Sequence, residues 1–210
     1  MDIKKLGNSV LIFTINRLIE ITGVFVSFLG VAILIALISY SPSDPNFIFP
    51  ENSEIKNILG FQGSYVADLF FQSSGLVAFL IPFTFIFTGI NIFRMKEIFL
   101  LIENTFFVIL YVLVGGLFFS IYYENSFSLY INGNGGFIGN YLDKIFLVNI
   151  IYSNENIFYY LFLILILTLF LKSLNFSIKG SMNFFKNING LFFKKKEKIY
   201  TNKNEIINEY

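Results

Sequence analysis

The chain has 210 residues, 55% of them hydrophobic, with a mean hydropathy of +0.69 and a net charge of only +1. An ordinary soluble domain is roughly 45 to 50% apolar, so the composition points to an integral membrane protein. Cysteine and histidine are both absent, which excludes disulfides, thiolate metal sites and any chemistry that depends on imidazole.

Met1 to Arg17 forms a short basic arm in which Val10 to Phe13 extend the first helix or lie at the interface. Lys4 and Lys5 ahead of an apolar run suggest a secretory signal, but a signal core is about 7 to 15 residues long and ends at a small-residue cleavage site. Here the run continues to Tyr40-Ser41-Pro42 with no Ala-x-Ala site, which predicts a retained anchor. The first span is predicted over about 18–39. Its central stretch Ile21 to Ile38 carries no charge, and at about 1.5 Å per residue it nearly crosses a hydrocarbon core of roughly 30 Å. Gly23 and Ser27 are four apart, as are Ala32 and Ala36, a spacing that either marks a close-packing face or reflects the ordinary small-residue content of membrane helices.

A polar connector follows from Ser39 to Gly63, with Pro42, Pro45 and Pro50 and the turn signal Ser43-Asp44-Pro45. Glu51 to Leu59 reads as a short surface helix ending at Gly60. Beyond Ser64, Tyr65, Asp68 and Gln72 stand at i, i+3 and i+7 beside Val66, Leu69, Phe70 and Phe71, the pattern of a helix lying in the outer interface. The second span is predicted over 74–93, with a kink at Pro82 and Arg94 and Lys96 closing it.

These landmarks resemble a known family. SYSPSDP after a first span, followed by LGxxGSYVADLxxQxxGxxAFLxP from Leu59 to Pro82, is similar to the N-terminal four-helix membrane domain of the FtsK/SpoIIIE DNA translocases. The resemblance runs from about Leu18 to Leu174. Its signature positions are Ser39, Tyr40, Ser41, Pro42, Asp44, Pro45, Gly60, Gly63, Asp68, Gly75 and Pro82.

The third span is predicted over 99–122, with Glu103 and Asn104 near its inner end and Gly115-Gly116 near its outer half. Glu103 is a conceivable proton relay, though a single carboxylate near a span end is more often interfacial. Asn132 to Asn140, NGNGGFIGN, superficially resembles a phosphate loop or a KH-type GxxG. A dinucleotide fingerprint would need glycine at position 138, which is Ile, and a KH loop would need a soluble α/β domain around it. The segment therefore reads as a turn that starts a helix over 137–148, with Asp143 and Lys144 on its wetter side. The family has a similar glycine-rich element before its last span, which adds Gly135, Gly136 and Gly139 to the signature. The fourth span is predicted over 157–174, and the remainder, 176–210, is a basic juxtamembrane segment containing Lys194 to Lys198.

Thirteen of the fifteen lysines and arginines fall on one side of this four-span arrangement, and only Lys56 and Lys144 fall on the other, so both termini are expected in the cytoplasm. The expected fold is an all-α membrane protein with four transmembrane helices over 1–175 and short interfacial helices in the two outer loops. The chain has no Gly-Lys pair, hence no P-loop, and no catalytic, metal or cofactor site is expected in it. The resemblance implies that an ATP- and magnesium-dependent motor and the contact with DNA lie C-terminal to it, the chain being a fragment, a split-gene product or the anchor alone. It also implies the inner membrane at the division septum, other division proteins as partners, and a homo-oligomer up to a hexamer. A small four-span transporter or channel subunit is the alternative, disfavoured by the lack of charge at mid-depth.

Overall fold

The computed structural model describes residues 3–45, 54–123, 132–144 and 148–175. Residues 51–53 of the expected connector helix, the outer segment 124–131 and the basic segment 176–210 with Lys194 to Lys198 lie outside the described residues. The described chain is helical without strands: α1 (Ile3–Ile38), α2 (Gly60–Ser74), a 3₁₀ turn (Gly75–Phe79), α3 (Leu80–Met95), α4 (Leu100–Tyr122), α5 (Gly136–Asp143), α6 (Val148–Ser153) and α7 (Glu155–Ser173). Four stretches are long and apolar enough to cross a bilayer: Gly7–Ile38, Gly60–Met95, Leu100–Tyr122 and Glu155–Ser173. Their outer faces are apolar, with Phe28, Phe99, Ile102 and Ile157 all about two-thirds exposed or more, as hydrocarbon rather than water requires.

The basic arm extends the first helix, which begins at Ile3, because nothing in the arm breaks it and lysines are good helix formers. One element departs from the sequence reading. The connector helix over Glu51 to Leu59 is not found in its described part: residues 54–59 are irregular chain followed by a bend and turn, and Gly60, at φ 67°, opens α2 instead of closing a helix.

The second span is compound. At about 1.5 Å per residue the sixteen residues of α3 give only ~24 Å, short of the hydrocarbon core. The five residues of the 3₁₀ turn rise about 2.0 Å each and supply the missing ~10 Å. Pro82 consequently sits in the first turn of α3, where its missing N–H breaks no helical bond, and the expected mid-span kink is replaced by the 3₁₀ turn upstream.

The core divides into three patches. Ile33, Ala36 and Leu37 pack on Ala67, Phe71 and Ala78; Val77 and Ile81 pack on Tyr111 and Val112; and Phe118 gathers Ile151 and Phe162. Helix α1 runs antiparallel to α3, and α7 packs mainly on α4. The bundle therefore has a connector end, where α1 hands over to α2 and α4 to α5, and a turn end, where α3 hands over to α4.

Candidate functional site: two clasps and a buried latch

The connector leaves α1 at Ser39 and is fastened immediately. Asp44 is 1% exposed, and its two carboxylate oxygens accept the backbone N–H groups of Lys56 at 3.0 Å and Asn57 at 2.9 Å. Bonds to a charged acceptor are worth about 1.5 to 3 kcal/mol each. Asn57 in turn donates its side-chain amide to the Ala36 carbonyl at 2.8 Å, and Ser39 Oγ accepts the N–H of Ile58 at 3.2 Å. Ser64 Oγ donates to the Pro45 carbonyl at 3.0 Å, tying α2 to the same turn. A Cβ at Gly63 would lie 2.1 Å from Asn57 Oδ1, so only glycine lets α2 start this close to the loop.

Tyr40 completes this first clasp. Its hydroxyl donates to Asp68 Oδ1 at 3.2 Å, and Gln72 Nε2 approaches the same oxygen at 3.4 Å. Burial, and then the adjacent Asp68 carboxylate, push the Tyr40 hydroxyl above its ordinary value. The polar stripe of α2 is therefore turned inward: Asp68 is 5% exposed, whereas Phe61 and Leu69 face outward. The sequence pattern suggested an interfacial helix with its polar face in water, but the connector supplies enough partners to bury that face. Of the first group of signature positions, Ser39, Tyr40, Asp44, Pro45, Gly63 and Asp68 meet here. Ser41 and Pro42 shape the turn, in which the Asp44 N–H donates to the Ser41 carbonyl at 3.1 Å.

The second clasp joins the glycine-rich loop to the crossing of α2 and α4. Gly75 ends α2 at φ 62°, and its neighbour Leu76 donates its N–H to the Asn134 carbonyl at 2.9 Å. A Cβ at Gly75 would stand 2.0 Å from that oxygen. On the other side, a Cβ at Gly139 would fall 2.2 Å from the Gly116 carbonyl oxygen, and one at Gly135 would fall 2.6 Å from it. Polar bonds surround this contact: Asn132 N–H to Gln72 Oε1 at 3.1 Å, Asn140 Nδ2 to the Asn132 carbonyl at 2.8 Å, Ser120 Oγ to Asn140 Oδ1 at 3.1 Å, and Asn134 Nδ2 to the Tyr123 carbonyl. The glycines thus serve close backbone packing. Gln72 belongs to both clasps, which makes α2 the strut between them.

Toward the turn end a third polar group is buried in the bundle. Thr84 Oγ1 lies 3.1 Å from the Tyr111 hydroxyl and 2.8 Å from Ser173 Oγ. Asn104 Nδ2 donates to Thr88 Oγ1 at 2.8 Å and to Asn175 Oδ1 at 2.7 Å, and Asn91 Nδ2 donates to the Leu174 carbonyl at 3.2 Å. This latch fixes the end of α7, where Asn175 takes the left-handed conformation at φ 52°. Glu103, the carboxylate conceivable as a proton relay, is exposed in the first turn of α4, while its buried neighbour Asn104 does the bonding. The signal for it was weak: Thr84, Thr88 and Asn91 lie on one side of α3 at i, i+4 and i+7. Pro82 belongs to neither clasp; its carbonyl faces Gly30 of α1.

Nothing in these groups is arranged for bond-making chemistry. Among the described residues no three His, Cys, Asp or Glu side chains come together as a metal would require.

Comparison with known proteins covers the same ground. Residues 16–185 match the family described as the 4TM region of DNA translocase FtsK/SpoIIIE. The chain is 27% identical over 130 residues to the DNA translocase FtsK of Rickettsia bellii, covering 60% of this chain and 17% of that protein. It is 31% identical over 109 residues to the protein of that name in Rickettsia typhi, covering 50% and 14%. With that of Shewanella oneidensis it shares 30% identity over 145 residues, covering 66% and 16%. The match thus spans about a sixth of the length of these relatives. No solved structure matches the chain.

Proposed function

Given that the chain belongs to the FtsK/SpoIIIE family, whose four-helix membrane region it carries, we propose that it anchors a cell-division DNA translocase in the bacterial inner membrane at the septum. The observation that supports this reading best is the extent of the family match: residues 16–185 take in α1 from residue 16 onward, the other three membrane-spanning stretches, both clasps and the latch. This region is a membrane domain and is not itself catalytic. ATP hydrolysis and DNA contact are assigned to a motor C-terminal to it, in keeping with the name DNA translocase borne by relatives about six times longer than the match. On this reading ATP and magnesium bind only that motor, and the anchor gathers copies into a homo-oligomer up to a hexamer and meets other division proteins.

Both termini are placed in the cytoplasm, the side that the excess of lysine and arginine favours. The clasps then face the periplasm, and the latch holds the end of α7 near the cytoplasmic face. That assigns the latch a mechanical part: it ties the last membrane helix, and whatever pulls on it, to α3 and α4.

A fluorescent fusion of the full chain in dividing rod-shaped bacteria tests the proposal. The expected result is a midcell band in constricting cells. Even fluorescence around the whole cell envelope overturns septal targeting, and soluble fluorescence overturns the anchor itself.

A further inference from the structure

At the turn end, on the outside of the α1–α3 pair, lies a groove of about 490 Å³ walled by Ile21, Val24, Phe25, Phe28 and Phe93, with Arg17 and Glu20 at its mouth. The walls are apolar along their length, so hydrocarbon fills the groove better than water does. The mouth is cationic. Arg17 pairs with one carboxylate oxygen of Glu20, and Lys96 Nζ lies 3.2 Å from the other. Two cations thus share one anion. Their side chains are 56% and 42% exposed, and a guanidinium with five N–H donors and an ammonium with three each have donors to spare.

The depth of the mouth fits the headgroup layer. From Arg17 to Ile38 α1 rises about 33 Å, close to the thickness of the hydrocarbon core, so the ion cluster lies at one edge of the membrane and the groove lies among acyl chains. Lys96 comes to the same level because α3 ends at Met95. We propose that this groove is a binding site for one anionic glycerophospholipid, with its phosphate on Arg17 and Lys96 and an acyl chain along Val24, Phe25 and Phe28. Charge complementarity selects the occupant. A zwitterionic headgroup would bring a further cation to a mouth that already has an excess, and a helix from a second copy would bury the unused donors of Arg17 and Lys96. The inference rests on the four membrane helices and is independent of the translocase reading.

The chain contains no tryptophan, so a single introduced one reports locally. Phe25→Trp places it in the groove, at a position 64% exposed, and Phe106→Trp, 57% exposed on α4, is the control. The purified full chain is reconstituted in phosphatidylcholine vesicles containing a minor fraction of brominated phosphatidylglycerol or brominated phosphatidylcholine, and quenching gives the relative affinity. Glu20 offsets one of the two cations, so at about 1 kcal/mol per basic residue near the surface the net single charge should make the Phe25→Trp protein prefer the anionic lipid about fivefold, and the Phe106→Trp protein should show little preference. Combining Phe25→Trp with Arg17→Gln and Lys96→Gln should abolish the preference. If that combination loses its helical far-ultraviolet signal, each single Gln variant must lower the preference several-fold, and Arg17→Lys must keep it. Equal quenching by the two lipids, equal preference at both sensors, or a preference that survives the Gln variants overturns the site.

Discussion

Gly23 and Gly89 meet backbone to backbone: a Cβ on Gly89 would lie 2.3 Å from the Gly23 carbonyl oxygen, and one on Gly23 would lie 2.7 Å from that of Gly89. Between them Ser27 Oγ donates to the Ile86 carbonyl at 3.0 Å, and Gly30 continues the seam against Pro82. Helices in lipid gain nothing by hiding apolar surface from each other, so close approach and such bonds hold α1 on α3. Gly89→Ala or Gly23→Ala must push the helices apart, at a cost of about 1 to 3 kcal/mol for overpacking. Unfolding by denaturing detergent should show this as an earlier midpoint. Gly7→Ala is the control, since its Cβ meets nothing, and should leave the midpoint unchanged or slightly later.

Asp44 makes the corresponding prediction for the connector end. Asp44→Ala leaves the N–H groups of Lys56 and Asn57 without their acceptor in a buried turn, a loss of about 2 to 4 kcal/mol. Hydrogen exchange of those two amides should accelerate well before that of the α3 and α4 amides. Asp44→Asn keeps one acceptor oxygen and should fall between the two.

These residues show what the sequence could reveal. Four helices long and apolar enough to span were legible, because the bilayer acts on composition and length alone. The arm ahead of the first span was harder to read, since lysines and polar residues interrupt an apolar run without breaking a helix. The Ser39-to-Pro45 run and Asp68 were legible as landmarks, but Asp68 bonding to Tyr40 across 28 positions was not, because a pattern of polar residues does not say whether water or another segment will satisfy them. Gly23 and Ser27 advertised a small face on α1, yet the matching glycine on α3 is a single residue with no spacing signal. The 3₁₀ turn was hidden for a related reason: Gly75 is held not only by its positive φ but also by Asn134, 59 residues later, whose carbonyl oxygen occupies the space a side chain would take.

The Tyr40 hydroxyl sets an alkaline limit. Its pKa is raised above the usual 10.0 by burial and by Asp68, so the folded state holds the proton more tightly than the unfolded chain does. Below about pH 10 both states are protonated and its contribution is fully present. As pH rises further the unfolded state ionises first and stability is lost. Tyr40→Phe forfeits the bond to Asp68, so it should be less stable at pH 8, with a gap to the parent protein that narrows above pH 10. A gap that stays constant from pH 8 to 11 would argue that Tyr40 is not the titrating group.

Asn104 and Glu103 are adjacent and should behave oppositely. Asn104→Leu strands Thr88 Oγ1 and leaves Asn175 Oδ1 with only the longer bond from Asn91 Nδ2 at 3.4 Å, at a cost of about 1 to 2 kcal/mol. Glu103→Gln changes an exposed group in a first helical turn and should cost a few tenths of a kcal/mol through the helix dipole. Loosening of the latch should appear first as faster proteolysis after Ser173.

The second clasp predicts a test of topology. Gly75 is constrained twice, by a φ of 62° that side chains disfavour and by the Asn134 carbonyl oxygen 2.0 Å from any added Cβ. Gly75→Ala therefore cannot be absorbed by a rotamer change and has to expel the loop, breaking the bond from the Leu76 N–H to Asn134. Since the chain has no cysteine, Gln72→Cys with Asn132→Cys gives a pair free of background, at positions bonded to each other through Asn132 N–H and Gln72 Oε1. A short bifunctional thiol reagent should join that pair efficiently, and adding Gly75→Ala should cut the yield several-fold. Because α2 bridges both clasps, that change should also speed exchange at Lys56 and Asn57. Loss of crosslinking with no change at those amides would show that the two clasps act independently.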